Sequence, residues 1–127
     1  MILNFSGKNQ VLMLDKMKFN IINLFVFSRI KIKGKNNKII FRGDFKLSNF
    51  FNVLSNLKLV ICGDNNLVDI EFPIIFRNAT ISLSKDNNIF KIKRTEHKLK
   101  DAFFYIEDGG IVDIGESSQL GMGICML

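Results

Sequence analysis

A short phrase repeated five times constrains the fold of this chain of 127 residues more than any other sequence feature. Each copy is a four-residue corner, rich in Gly and Asn, followed by alternating apolar residues, and the clearest copy reads GKNNKIIF. The corners occupy residues 7–10, 34–37, 63–66, 85–88 and 107–110, of which the last, EDGG, is the weakest copy. Their first residues lie 27, 29, 22 and 22 positions apart, which is a spacing typical of stacked repeat units.

Apolar residues flank every corner at the same positions. They stand four and two residues before its first residue, and five and seven residues after it. The 20 residues are Leu3, Phe5, Leu12, Leu14, Ile30, Ile32, Ile39, Phe41, Leu59, Ile61, Val68, Ile70, Ile81, Leu83, Phe90, Ile92, Phe103, Tyr105, Val112 and Ile114. Because alternation with a period of two is typical of β-strands, each copy predicts a strand, a turn and a strand, with these residues facing inward.

The corner itself has a physical explanation, because Gly and Asn tolerate the left-handed backbone that a sharp change of direction requires. If the copies stack in register, Asn37, Asn66 and Asn88 lie above one another and their side chains can hydrogen-bond. The sequence therefore predicts an all-β fold, a single-stranded β-solenoid (parallel β-helix) of about five irregular turns, as one domain over residues 1–127. Separate β-hairpins with Asn-Asn turns are the alternative, but they do not explain why the corners recur in phase.

Three segments interrupt the repeat. Residues 15–29 are rich in β-formers and are predicted to be a strand, with a short capping helix as the alternative. Residues 44–56 are predicted to form an additional side of the coil or a small bulged loop. Residues 93–101 hold four basic residues, two acids and His97, and they are predicted to be a solvated side.

Composition narrows the class of protein further. A hydrophobic content of 47% with 24% charged residues argues against disorder. The net charge of +6 would suit an anionic ligand, but Lys-rich solvated strands are the simpler explanation. No apolar run is long enough for a secretory signal or a membrane span, so we expect a cytoplasmic protein with no transmembrane segment, in which Cys62 and Cys125 are plain thiols.

Residues for catalysis are scarce in this sequence. His97 is the only histidine, and a general base needs a partner that orients its ring. Glu96 is a poor candidate, because neighbours on a strand point to opposite faces, and we expect His97 to face solvent. The sequence predicts no catalytic, cofactor-binding or metal-binding residue, and no nucleophilic triad can be assembled from it.

Three charged residues occupy equivalent positions in successive repeats: Asp69, Lys91 and Asp113. They are predicted to form an outward row of alternating charge on an exposed sheet face, and not the facing carboxylates of a glycosidase. Nucleic acid is not an expected partner, because basic residues are interleaved with acids and the 13 Phe lie mostly at inward positions.

The corners of the type Gly-x-Asn-Asn-x-Ile-x-Ile, with residues 100–106 and 114–118 (KDAFFYI and IGESS), resemble bacterial acyltransferases of the hexapeptide-repeat superfamily. The closest group is the O-acetyltransferases of capsular and other surface polysaccharides, and the resemblance spans about residues 30–127. It implies an irregular β-solenoid that leads into a left-handed parallel β-helix. It also implies acetyl-CoA as co-substrate, a sugar or polysaccharide precursor as acceptor, a histidine as general base and a homotrimer.

The segment that carries the family's histidine has no counterpart in this sequence. We therefore expect the chain to be the N-terminal part of a longer acyltransferase, inactive alone, with an open C-terminal end. Two other hypotheses remain. One is a non-catalytic β-solenoid that binds a glycan or a protein along a flat side. The other is a right-handed β-helix of the polysaccharide-lyase type, which the 22-residue period allows although a convincing acid cluster is lacking.

Overall fold

The structure is a computed structural model, and it describes residues 10–14, 30–44, 47–95, 98–115 and 125–126. These residues form short strands, with a single helix among them, so the predicted all-β class is confirmed. In chain order the elements are β1 (Gln10–Leu14), β2 (Ile30–Lys33), β3 (Lys38–Gly43), α1 (Leu47–Asn56), β4 (Leu57–Cys62), β5 (Leu67–Phe72), β6 (Phe76–Arg77), β7 (Ala79–Ser84), β8 (Ile89–Ile92), β9 (Leu99–Lys100), β10 (Phe103–Glu107), β11 (Ile111–Ile114) and β12 (Cys125–Met126).

The strands are arranged in three sheets. Sheet A has the order β1-β3-β5-β8-β11, sheet B has the order β2-β4-β7-β10-β12, and sheet C pairs β6 with β9. Apart from β1, every pairing is parallel, and the pairings among the second, third and fourth repeats join equivalent residues, such as Ile39 with Val68 and Val68 with Phe90. Each of the corners at 34–37, 63–66, 85–88 and 107–110 joins a strand of sheet B to a strand of sheet A, so the hairpin alternative is wrong for these residues.

The asparagines stack as predicted. Asn37 Oδ1 accepts hydrogen bonds from the backbone N (3.0 Å) and the Nδ2 (3.1 Å) of Asn66. Asn66 Oδ1 accepts from the backbone N of Asn88 (2.9 Å), and Asn88 Oδ1 accepts from the backbone N of Gly110 (3.0 Å). Buried polar groups must be paired to avoid a desolvation cost, and this ladder pairs them from layer to layer.

A second ladder runs along the same corners and was not predicted. Asp64 Oδ1 accepts from the backbone N of Lys35 (2.9 Å), and Asp86 Oδ1 accepts from the backbone N of Asp64 (2.8 Å). Close stacking also explains why the second and third corners begin with glycine, at Gly34 and Gly63. A Cβ at Gly63, whose φ is +137°, would lie 1.8 Å from the carbonyl oxygen of Lys85 in the next layer, so only glycine fits.

The first predicted copy behaves differently from the others. Its strand β1 exists, but it pairs antiparallel with β3, so that Leu12 lies opposite Phe41 and Leu14 opposite Ile39. The prediction that this copy repeats the parallel stacking is therefore wrong. Alternation of apolar residues is the same in both chain directions, and it cannot distinguish a parallel from an antiparallel neighbour.

The last corner is one residue shorter than predicted. Glu107 pairs with Ser84 and Ile111 pairs with Ile89, so three residues here occupy the place of the four at 85–88. The inward residues of β10 are consequently Phe104 and Ile106, and the prediction that Phe103 and Tyr105 face inward is wrong. Residues 103–106 are all apolar or aromatic, so either phase would have filled the core.

The inward residues of all three sheets pack into one hydrophobic core. The 12 flanking residues of the second, third and fourth corners are all buried: Ile30, Ile32, Ile39, Phe41, Leu59, Ile61, Val68, Ile70, Ile81, Leu83, Phe90 and Ile92. Aromatic rings of different strands meet in this core, with centroids 5.7 Å apart for Phe41 and Phe72 and 5.0 Å apart for Phe90 and Phe104.

Much of the segment predicted as an additional side or bulged loop is helical. Helix α1 buries Val53 in the core and presents Asn52 to β6. The Asn52 amide accepts from the backbone N of Phe76 (2.8 Å) and donates to its carbonyl oxygen (2.9 Å). One side chain thus makes the two hydrogen bonds that a neighbouring strand would make. The predicted strand in residues 15–29 lies outside the described residues.

Candidate functional site

The outer face of sheet A carries charged residues in register. Asp69 pairs with Lys91, and Lys91 pairs with Asp113, as the equivalent sequence positions predict. Two residues further along the strands, Arg42 pairs with Glu71. These rows border a cleft of about 240 Å³, here called the charged cleft, which is lined by Arg42, Asp69, Glu71, Lys91, Ile92, Lys93 and Asp113.

An ion pair forms part of the lining of the charged cleft. Arg42 Nε and Nη2 donate to the two carboxylate oxygens of Asp69 at 2.7 and 2.6 Å. The hydrogen bond to Asp69 raises the pKa of Arg42, against the opposing effect of partial burial. Asp69 is only 8% exposed, so the prediction of a fully exposed row is wrong for this residue. A carboxylate held by a bidentate arginine is a poor general base, because protonating it would break the pair.

Glu71 is also held in its ionised form. Its Oε1 accepts from the backbone N of Arg94 at 3.0 Å and from the Arg94 side-chain Nε at 3.4 Å. Partial burial alone would raise the pKa of Glu71, but these hydrogen bonds and the charges of Arg94 and Lys93 together lower it. Glu71 therefore remains a carboxylate at neutral pH and cannot act as a general acid.

Three groups of the charged cleft remain open to a ligand. Lys91, Lys93 and Asp113 are exposed, and none of them forms an ion pair with a described residue. Lys91 lies between Asp69 and Asp113 in the register of the sheet. An ammonium offers three donors and a carboxylate offers acceptors only, so the open groups can bind a ligand that carries both hydroxyl and charged groups.

The charged cleft does not fit acetyl-CoA. Pockets for ligands of drug size occupy roughly 300–1,000 Å³, and this cleft is smaller, at about 240 Å³. Its cations Arg42, Lys91 and Lys93 are matched by three lining carboxylates, so it has no excess positive charge for a phosphorylated cofactor. Within the described ranges, no three His, Cys, Asp or Glu side chains are grouped so as to hold a metal ion.

Part of this site can be predicted from the sequence. The row formed by Asp69, Lys91 and Asp113 was predicted, and the second row was not. Glu71 stands two residues after Asp69, and Arg42 stands two residues after Ile40, which pairs with Asp69. A period of two therefore puts Arg42 and Glu71 on the same outer face as the first row. That signal was present in the sequence. The contribution of Arg94 follows no repeat and could not have been found. His97 and Glu96 lie outside the described residues.

In the part of the chain that the structure describes, no helix is both long and apolar enough to cross a lipid bilayer. No family model, curated protein or solved structure matches this chain.

Proposed function

We propose that the three sheets form a β-solenoid with a left-handed coil, and that the chain is the N-terminal scaffold of an acetyl-CoA-dependent O-acetyltransferase of surface polysaccharides. The observation that carries the proposal is the in-register parallel pairing of equivalent residues across successive repeats. Stacking of this kind gives each short repeat a neighbour on which it can bury its apolar face. A cytoplasmic homotrimer is part of the same proposal, which sedimentation of the natural protein can test.

This portion holds the acceptor sugar and does not perform the transfer itself. That role is supported by the open groups Lys91, Lys93 and Asp113, which can hydrogen-bond to sugar hydroxyls. It is also supported by the state of two carboxylates. Glu71 is ionised and Asp69 is paired with Arg42, so neither residue is suited to proton transfer. Acetyl-CoA binds elsewhere in the enzyme in this proposal, since the charged cleft does not fit it.

A non-catalytic β-solenoid that binds a glycan or a protein is the second candidate. It rests on the same contacts, because Asp69 is paired with Arg42 and Glu71 with Arg94, and it needs no acetyl transfer to account for them. In this case the chain would bind glycans with the same groups but would not be associated with acetyl transfer.

Acetyl transfer separates the two candidates. The natural polypeptide that contains this chain should move radiolabelled acetyl groups from acetyl-CoA to oligosaccharide acceptors. Lys91→Gln with Asp113→Asn should raise the KM for the acceptor about tenfold and leave the KM for acetyl-CoA unchanged, because only the acceptor contacts these groups. Lys38→Gln, on the same sheet but away from the cleft, is the matched control. Glycan binding without any transfer would refute the acetyltransferase proposal and support the second candidate. A crystal structure would test the solenoid and its hand.

A further inference from the structure

The outer face of sheet B has a different chemistry from the charged cleft. It consists of the outward residues of β2, β4, β7 and β10, and we call it the sheet B face. Lysines stand at the β2 edge, hydroxyl side chains along β7, and aromatic side chains along β10. With strands about 4.8 Å apart, the face is roughly 14 Å wide from β2 to β10, which suits an extended ligand better than a small one.

The lysines of the sheet B face lack counter-charges. Lys31, Lys33 and Lys58 are exposed, and none of them forms an ion pair with a described carboxylate. Lys31 lies opposite Val60, two residues from Lys58, so with strands about 4.8 Å apart and about 3.3 Å per residue the Cα atoms of Lys31 and Lys58 are roughly 8 Å apart. That distance is close to the screening length of about 8 Å at physiological salt, so these positive charges are only partly screened from one another and an anion near them is favoured.

The acid at the opposite end of the face does not neutralise these lysines. Glu107, on β10, forms an ion pair with Lys85 Nζ at 3.1 Å. Its charge is therefore offset locally, and the lysine edge of the sheet B face remains positively charged. An anionic partner is accordingly the complement that the charges favour.

The rest of the sheet B face has the groups that sugars require. Ser82 lies beside Tyr105, and Thr80 lies beside Phe103, which is 41% exposed. Hydroxyl groups of serine and threonine can both donate and accept hydrogen bonds. An exposed aromatic ring presents a flat apolar face, on which the C–H face of a sugar ring can pack.

We propose that the sheet B face binds an acidic polysaccharide, whose sugar carboxylates pair with Lys31, Lys33 and Lys58 while its rings lie over the hydroxyl and aromatic rows. The inference rests on the proposed function, because it names the chemical class of the polysaccharide. Serine and threonine hydroxyls also donate to phosphate oxygens, so nucleic acids and anionic lipids serve as competing ligands in the test. The combination of lysine, hydroxyl and aromatic rows on one face favours a chain of acidic sugar rings over either of them.

Binding of the 127-residue chain to polygalacturonate, with neutral dextran as the comparison, tests the proposal. We expect binding to polygalacturonate only, weakened by added NaCl because exposed charges are screened. Replacing Lys31, Lys33 and Lys58 together by Gln should raise the Kd at least about tenfold, or about 1.4 kcal/mol. The matched control replaces Lys38, Lys98 and Lys100 by Gln, which removes the same charge from other faces and should change the Kd less than twofold. Unchanged thermal unfolding checks that both variants fold.

The thiol of Cys62 reports where the ligand binds. Cys62 is exposed and lies between Lys33 and Ser84 in the register of sheet B. Bound polygalacturonate should slow its alkylation by iodoacetamide at least threefold, measured on the Cys62 peptide by mass spectrometry, whereas dextran should not.

Several results would overturn the inference. They are an unchanged alkylation rate, an equal loss of affinity in both triple variants, or equally tight binding to single-stranded DNA or to phosphatidylserine vesicles. The acetyl-transfer assay keeps the two proposals distinguishable. Transfer to neutral oligosaccharides without polygalacturonate binding would refute the inference alone, and polygalacturonate binding without acetyl transfer would refute the proposed function alone.

Discussion

Removing the side chain of Asn66 is the most direct test of how the stacked corners stabilise the fold. Asn66 is 1% exposed, and its amide donates to Asn37 Oδ1 (3.1 Å) and to the carbonyl oxygen of Lys85 (2.9 Å). Its Oδ1 accepts from the backbone N of Asn88. Asn66→Ala removes all three hydrogen bonds and leaves a buried N–H of Asn88 without this acceptor.

The magnitude follows from these contacts. Three hydrogen bonds at a net value of about 1 kcal/mol each, with roughly 1 kcal/mol more for the buried donor left behind, predict a loss of about 4 kcal/mol. For a chain of this length the melting temperature should fall by about 15 °C. Urea unfolding followed by circular dichroism measures the change in free energy of unfolding, provided that the m-value stays constant.

A neighbouring asparagine provides the control. Asn65 has a φ of 59° and an exposed side chain that forms no hydrogen bond with a described residue. Asn65→Gly keeps the left-handed backbone accessible and should cost less than about 1 kcal/mol, through the greater freedom of the unfolded chain. A loss below about 1 kcal/mol in Asn66→Ala, or equal losses in the two variants, would refute the interpretation of the asparagine ladder.

Asn66→Asp separates hydrogen bonding from size. The introduced carboxylate can still accept from Asn88, but it faces Asn37 Oδ1 and the carbonyl oxygen of Lys85 with no proton to donate. At neutral pH this variant should be at least as unstable as Asn66→Ala. Because the pKa of the introduced group is raised in the folded state, its penalty relative to the natural chain should shrink as the pH falls.

Three further predictions concern other parts of the fold. Gly63→Ala should lower the free energy of unfolding by about 3 kcal/mol, measured in urea, because the added Cβ would overlap a carbonyl oxygen. Gly109 has open space around it, so Gly109→Ala should cost only about 1–2 kcal/mol of backbone strain. Asn52→Ala should cost about 2–3 kcal/mol, because both of its hydrogen bonds to β6 are lost, and hydrogen exchange should rise first in β6. Glu71→Gln should lower the free energy of unfolding by about 1 kcal/mol at pH 7. Because the pKa of Glu71 is lowered in the folded state, its stabilising contribution is fully present above the unfolded pKa and is lost as the pH falls through the folded pKa.

Each of these predictions can fail in a recognisable way. Equal effects of the two glycine substitutions would show that stacking distance is not the reason for Gly63. Unchanged exchange in β6 after Asn52→Ala would show that α1 does not complete that strand. A difference between the natural chain and Glu71→Gln that persists at a pH below the folded pKa would show that ionisation of Glu71 is not its source.

Local chemistry allowed the core of the fold to be predicted from the sequence. The apolar alternation around the second, third and fourth corners identified residues that are all buried. The asparagines stack because a corner that repeats in sequence also repeats in space once its strands are in register. The row of Asp69, Lys91 and Asp113 followed from the same reasoning.

The features that the sequence did not predict depend on neighbours in the next layer. The direction of β1 depends on its pairing with β3, and an alternating pattern has no direction. Which residues of β10 face inward depends on a corner that is one residue shorter than the others. The sequence could not show this, because either face of Phe103-Phe104-Tyr105-Ile106 is apolar enough to pack inward.

The sequence by itself therefore determined the all-β class, the corners and most inward positions, because these follow from backbone preference and a period of two within a few residues. Only the tertiary structure decided which strands pair, that Asn52 substitutes for a strand beside β6, and that Arg42 neutralises Asp69. These contacts join residues at least 24 positions apart, and their geometry exists only after the layers have stacked.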